Sequence, residues 1–246
     1  MKRSTIAIII LGIIYILLPG ASLLIAFHVW GHKIEVLKLS QPDTYQLGVS
    51  PETISMEGSD IDNQWTRRVG LIVKCDSSAQ NSSISYAPEL NTLVKTVTRP
   101  GTLDIMLDYD AIEKTYSDVR IESDVRITVI LPRPAKQINA PAAGSLTITG
   151  MAADTLNINN LTRGLEIDKS RIGFISLHTL DHGWIKLSNH TSVGCLDWHS
   201  ASKDVNQSSL IVSETSELNG LKWRSDNPKG FLESTFHGAT TLKNIN

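Results

Sequence analysis

The chain has 246 residues, with 23 lysines and arginines set against 25 aspartates and glutamates, so its net charge is only −2 and no Lys/Arg run of five or more occurs. That balance argues against nucleic acid as a partner, which calls for a clustered basic surface. Two cysteines are too few for a disulfide-built scaffold.

The chain opens on an apolar run. Thr5 to Phe27, TIAIIILGIIYILLPGASLLIAF, is twenty-three residues without a charge. As a helix it covers about 34 Å, enough for a hydrocarbon layer of about 30 Å. Pro19 would kink it, which membrane helices tolerate, and Trp30 stands where an interfacial aromatic belongs. Three readings compete: a retained anchor, a signal peptide cut near Ser22, and a buried core helix. The stretch outruns an ordinary signal-peptide apolar region, and core helices seldom avoid charge for so long, so the anchor is the reading taken. Residues 1–33 then form a single-pass anchor with membrane lipid as its partner. Lys2 and Arg3 at a short N-terminus favour a cytoplasmic start and an exported remainder, facing the periplasm in a Gram-negative cell.

Residues 34–64 read as a juxtamembrane connector, mixing short apolar alternation with Pro42 and Gly48. Residues 65–246 read as a β domain. VGLIVKC (69–75) and LVKTVT (93–98) are strand-like. LDIMLDY places Leu103, Ile105, Leu107 and Tyr109 on one face with Asp104 and Asp108 on the other, the period of two of a half-buried strand. VRITVILP repeats the pattern and stops at Pro132, which cannot donate to a ladder. YDAIEKTYSDV, 109–119, is the only helix candidate, short and polar.

From Ser145 a regular beat sets in: SLTIT, TLNIN, GLEID, FISLH, WIKLS and VGCLDW, each 8–10 residues after the last. Their apolar pairs are Leu146/Ile148, Leu156/Ile158, Leu165/Ile167, Ile175/Leu177, Ile185/Leu187 and Val193/Cys195. SLIVS, GLKWR and FLESTF follow. Units this short have no core of their own and bury their faces against neighbours. An antiparallel meander closing as a sandwich or barrel would use hairpins at Asp181-His182-Gly183 and Asn219-Gly220. A parallel β-helix, or solenoid, would take two or three beats per coil, and the short strands with Asn/Ser/Thr-rich faces favour it. The expected fold is all-β, a parallel solenoid preceded by one transmembrane helix.

PGTLDIMLDYD and ITVILPRPAKQINAPAAGSLTITG (127–150) resemble the auto-transporter adhesin head, or GIN, domain family, over roughly residues 65–240. The resemblance implies a parallel β-helical domain on a bacterial cell envelope and carries no catalytic residues with it.

Few residues carry a chemical pattern. His178, Asp181, His182, His190, Cys195, Asp197 and His199 crowd into twenty-two positions, yet their spacing matches no zinc ligand set. Asp104, Asp108 and Asp110 could meet calcium, but DYDAIEK lacks the glycine and terminal glutamate of a calcium loop. No G-x-S-x-G or phosphate loop occurs, and no cofactor is implied. Cys75 and Cys195 could pair as a disulfide in an oxidising compartment, or fill strands as free thiols. Sequons stand at Asn81, Asn160, Asn189 and Asn206. The function expected is a non-catalytic envelope scaffold or adhesion module that meets a glycan or an envelope protein. The alternatives are a polysaccharide-acting enzyme with carboxylates on one face, and an envelope-assembly or lipid-transport component of β-taco or jelly-roll type.

Overall fold

A computed structural model describes residues 35–58, 68–108, 111, 119–121, 125–181, 183–202, 207–237 and 244–245. The anchor stretch, with Thr5, Phe27 and Trp30, lies outside them. So does the helix candidate 109–119 apart from Ala111 and Val119. Among the described residues no helix is long and apolar enough to cross a membrane.

Strands β1 (Glu35–Leu37), β2 (Asp43–Gln46), β3 (Thr53–Gly58), β4 (Val69–Cys75) and β5 (Ser83–Tyr86) come first. A 3-10 turn at Pro88–Leu90 leads to β6 (Val94–Arg99), β7 (Thr102–Leu107), β8 (Val119–Ile121), β9 (Val125–Leu131), β10 (Gln137–Asn139) and β11 (Ser145–Thr149). Long and short strands then alternate: β12 (Ala152–Leu161), β13 (Gly164–Asp168), β14 (Arg171–Thr179), β15 (Trp184–Ser188), β16 (Ser192–Ser200) and β17 (Gln207–Val212). β18 (Glu217–Leu218), β19 (Gly220–Ser225), β20 (Phe231–Phe236) and β21 (Asn244–Ile245) complete the described chain.

The protein is all-β, with two large sheets. The first runs β21-β19-β16-β14-β12-β10-β3-β7-β6, with β18 also on β16; the second runs β2-β5-β9-β4-β11-β13-β15-β17-β20. β1 and β8 form a separate two-stranded sheet. From β10 to β17 consecutive strands enter alternate sheets, and each pairs in parallel with the strand one rung on. In the second sheet Leu146, Leu165, Ile185 and Leu210 are in register across β11, β13, β15 and β17. Ile138, Ile158, Leu177 and Trp198 line up likewise in the first. All eight are 0–1 % exposed, so the space between the sheets is filled by these columns. Because side chains alternate faces, a one-residue slip in any rung would send its Leu/Ile pair into water, and this fixes the register.

The hairpin alternative is not what forms. Asp181 and Gly183 join β14 to β15 in opposite sheets, and Asn219-Gly220 joins two strands that both run parallel to β16. Antiparallel pairing occurs at one end, where β2–β5–β9 and β6–β7 close the stacks. The reading of 34–64 as a connector also needs correction, since β2 and β3 lie within it. β3 is inserted between β10 and β7, with Ile54 and Met56 wholly buried. The stacking order there departs from chain order, which no local periodicity announces.

The first sheet bends at the same place in four rungs. Ala153–Leu156, Ile172–Ile175, Val193–Leu196 and Leu218–Leu221 each put two consecutive residues outward between inward ones. The rungs approach so closely here that a Cβ on Gly173 would lie 2.6 Å from the Asp154 carbonyl oxygen, and one on Gly194 would overlap the Gly173 carbonyl oxygen. The bend shifts the phase of β16. Val193 is buried as expected, but the inward residues that follow it are Leu196 and Trp198, and Cys195 faces outward, half-buried.

The corners after the second-sheet strands carry left-handed residues at Gly150, Lys169, Asn189 and His190. A column of buried hydroxyls closes them. Ser170 Oγ accepts from the Met151 amide at 3.0 Å, Thr191 Oγ1 from the Ser170 amide at 3.4 Å and Ser216 Oγ from the Thr191 amide at 3.2 Å. These bonds satisfy donors that burial would otherwise leave unpaired.

Candidate functional site

The outer faces follow from the inner ones. With alternate positions committed to the core, each rung presents the residues between them, in register at about 4.8 Å. On the first sheet Thr102, Thr53, Gln137, Asn157, Ser176 and Asp197 form one such row. Beside it, Asn139 Nδ2 donates to Ser55 Oγ at 3.3 Å and Asn160 Nδ2 donates to Asn139 Oδ1 at 3.0 Å. Arg99 lies 3.1 Å from Asp104 at the end of that row. A shallow cavity of about 470 Å³ lies over these short polar side chains.

The bend makes a deeper feature, a groove of about 760 Å³ crossing β12, β14 and β16 as far as Asn219. Its floor is Gly173 and Gly194, whose lack of a side chain leaves the space open. Its rims carry Lys136, Asp154, Thr155 and Arg171. Lys136 is held by Glu52 at 2.8 Å. Of the described lining residues Asp154 alone carries a carboxyl, so the groove does not offer the pair that glycoside hydrolysis uses. It offers hydrogen-bonding groups of both signs along three rung steps, about 14 Å.

The His/Asp/Cys crowd seen in the sequence is dispersed by the fold. His178 and His199 are neighbours on the first sheet's outer face, with ring centroids 5.1 Å apart. His199 Nε2 lies 2.7 Å from Asp226 Oδ1. Partial burial, with the adjacent His199 as a second cause, holds the His178 imidazole below its ordinary pKa. Asp197 shares this face, 3.8 Å from Arg224. Asp181 sits at a corner, its carboxylate accepting from Ser202 Oγ at 3.3 Å, and His190 is at another corner, its amide donating to Thr215 Oγ1. His182 lies outside the described residues. Among the described residues no three His, Cys, Asp or Glu side chains converge. Of the calcium candidates, Asp104 faces Arg99 and Asp108 accepts from the Ala111 amide at 3.0 Å, while Asp110 is not described. Of the sequons, Asn81 and Asn189 are exposed, Asn160 is half-buried and Asn206 is not described.

Cys75 and Cys195 are both free thiols. They occupy different sheets, β4 and β16, separated by four rung steps or about 19 Å along the stack. A disulfide needs Cα atoms within roughly 7 Å. Burial pushes the Cys75 thiol up to about 11, against a weaker lowering from a hydrogen bond with the Ala135 backbone.

Sequence reasoning missed the groove and one more feature, an outward tryptophan, Trp184, at the start of β15. The aromatic at an outer position of WIKLS was a visible signal; the groove had none beyond two glycines in unrelated-looking strands.

No family model matches the chain, and no curated protein matches it either. It is similar to the crystal structure of a "putative adhesin" from Bacteroides fragilis, at 14% identity over 82% of this chain and 97% of that one, with a TM-score of 0.48. It is also similar to a "putative lipid binding protein" from Parabacteroides distasonis (12% identity, 85% and 98% covered, TM-score 0.38) and a "putative adhesin" from the same organism (8%, 85% and 99%, TM-score 0.41). At such identities and scores these likenesses say nothing of what this chain binds.

Proposed function

We propose that this chain is a membrane-anchored, extracytoplasmic β-solenoid that binds an extended polar partner, a cell-surface glycan or an envelope protein, without turning it over. The observation that carries the reading is the bend groove, which crosses successive rungs and presents hydrogen-bonding groups of both signs with a single carboxyl among its described lining residues. Each rung contributes at least one such group, Lys136, Asp154, Arg171, Ser192 and Asn219 in turn, set between small apolar residues, so an extended polymer lying along the stack meets a hydrogen-bonding group at each step. Supporting the solenoid description are the parallel, in-register rungs of both sheets. A lipid carrier would need an open apolar interior, and here the space between the sheets is filled. The anchor and the export of the domain rest on the uncharged run Thr5–Phe27 and the basic residues before it.

The test has two arms. The protein, incubated with a panel of cell-surface polysaccharides, should retain one and leave it intact by chromatography. Shortened products, lost on Asp154→Asn, would replace this reading by an enzyme. In cells, a C-terminal reporter should be active only outside the cytoplasm, and the protein should stay with membranes after carbonate washing. Release of a shortened soluble form would show a cleaved leader in place of an anchor.

A further inference from the structure

The outer face of the second sheet carries a trough with an aromatic wall. Across it the register runs Arg126, Gly70, Ser145, Gly164, Trp184. A side chain at Gly164 would collide with the Trp184 indole, and the nearest ring atom is the fusion carbon Cε2, nearer than Cζ2 or Nε1. An edge-on ring would put its outer atoms closest, so the indole lies face down on Gly164. With that face covered, the residue is still 40% exposed and lines the trough. Beyond the ring the floor is Ser145 and Gly70, two rung steps or about 10 Å. Arg126 and Arg68 line the far end, and the trough holds about 340 Å³. Thr147 and Glu166 form its side. The Glu166 carboxylate is already engaged by Lys186 Nζ at 2.8 Å and Ser188 Oγ at 3.3 Å, which offsets its charge.

A part-exposed indole sheltered from below favours a ligand with a flat apolar ring face. Hydroxyls and a carboxylate oxygen beside the floor suit hydroxyl groups, and a guanidinium at the far end suits an anion held in a fork. We propose that this trough binds an acidic oligosaccharide, one sugar ring stacked on Trp184 and a carboxylate of the next sugars directed to Arg126. The inference rests on the glycan-binding reading above and adds a site and a ligand class to it. It is separate from the bend groove, which lies on the other sheet.

The test uses the full chain in detergent and calorimetric titration with three probes: tetragalacturonate, its methyl ester, and adenosine monophosphate, which also joins a flat ring to an anion. Tetragalacturonate should bind, and esterification, which removes charge while keeping shape, should weaken binding at least tenfold. Trp184→Ala should weaken tetragalacturonate at least tenfold. Arg126→Gln, on an exposed side chain with no part in the core, should bring acid and ester to equal affinity. Unchanged thermal unfolding of Arg126→Gln keeps the test valid even where Trp184→Ala destabilises the chain. Equal affinity for acid and ester in the parent protein would overturn the proposal, as would tighter binding of the nucleotide or no binding of tetragalacturonate. Affinity unchanged in both variants would overturn the site while leaving glycan binding standing. If the polysaccharide panel is also blank, the broader reading falls with it.

Discussion

Gly173→Ala probes the bend directly. Gly173 does not have a positive φ, so an alanine there meets no backbone strain of its own. Its Cβ, however, would stand 2.6 Å from the Asp154 carbonyl oxygen, 3.4 Å from the carbonyl carbon and 3.5 Å from Cα. The obstacle is the backbone of the adjacent rung, which has no rotamer to change. Relief needs about 1 Å more between β12 and β14, against the flanking pairs Ala153–Ile172 and Thr155–Phe174. Overpacking of this kind costs about 1–3 kcal/mol, and straining a ladder hydrogen bond adds about 0.5–1.5 kcal/mol. The lower entropy of the unfolded alanine chain returns about 0.4–1 kcal/mol. The net is a loss of about 0.5–4 kcal/mol, which at this chain length lowers Tm by roughly 1–16 °C. Gly70→Ala is the control, since its Cβ would meet a rotatable side-chain atom, Ser145 Oγ, at 3.1 Å. Differential scanning calorimetry of both decides the matter. If Gly173→Ala melts with Gly70→Ala or above the parent protein, the close approach at the bend is not a constraint and the groove floor is not built as argued.

Leu165→Asp puts a carboxylate into a wholly buried column and should cost about 3–5 kcal/mol in urea unfolding, whereas the adjacent Glu166→Asp should stay within about 0.5 kcal/mol. Equal tolerance at the two positions would put the register one residue out. His178 has its folded pKa depressed by burial and by His199. The unfolded chain therefore takes up the proton first as pH falls, and stability present above about pH 6.5 is lost below it. His178→Gln should flatten that slope in melting curves taken from pH 7.5 to 5, and an unchanged slope would refute the assignment. Cys75, with its thiol pushed up to about 11, should react slowly with a thiol reagent at pH 8 in the native state. Both thiols should react at once in urea without reductant; a requirement for reductant would mean that they are bridged.

Much of the stack was legible because two-residue alternation is a local property. VGLIVKC, SLTIT, GLEID, WIKLS and FLESTF coincide with β4, β11, β13, β15 and β20, and Leu/Ile pairs such as Leu146/Ile148 and Leu165/Ile167 are the buried ones. What failed depended on non-local pairing. Nothing in TISMEG says that β3 will sit between β10 and β7, since that place is set by partners about 50 and 80 residues away. The misplacement of Cys195 has a local cause: strict alternation was carried from the buried Val193 across Gly194, where the bend inserts a second outward residue. The dispersed histidines show the same limit for sites, because closeness in sequence puts residues on successive corners and faces as readily as on one.

The two glycine-dependent features have different relations to stability, and this separates their roles. At Gly173 and Gly194 the missing Cβ admits a neighbouring backbone, so the residue is required by the stack itself and the groove above it is a consequence of how the rungs pack. At Gly164 the missing Cβ admits a side chain that remains 40% exposed. The core does not need Trp184 to lie there. Covering one face of an indole while leaving the residue part-exposed gains only part of the burial that a tryptophan can supply. The bend groove therefore follows from how the rungs pack, and its polar rims are what the binding reading uses. The indole over Gly164 is an arrangement that packing leaves unexplained, and an extended surface with one flat apolar platform, hydroxyls beside it and a guanidinium beyond it is better accounted for by a ligand that completes the burial.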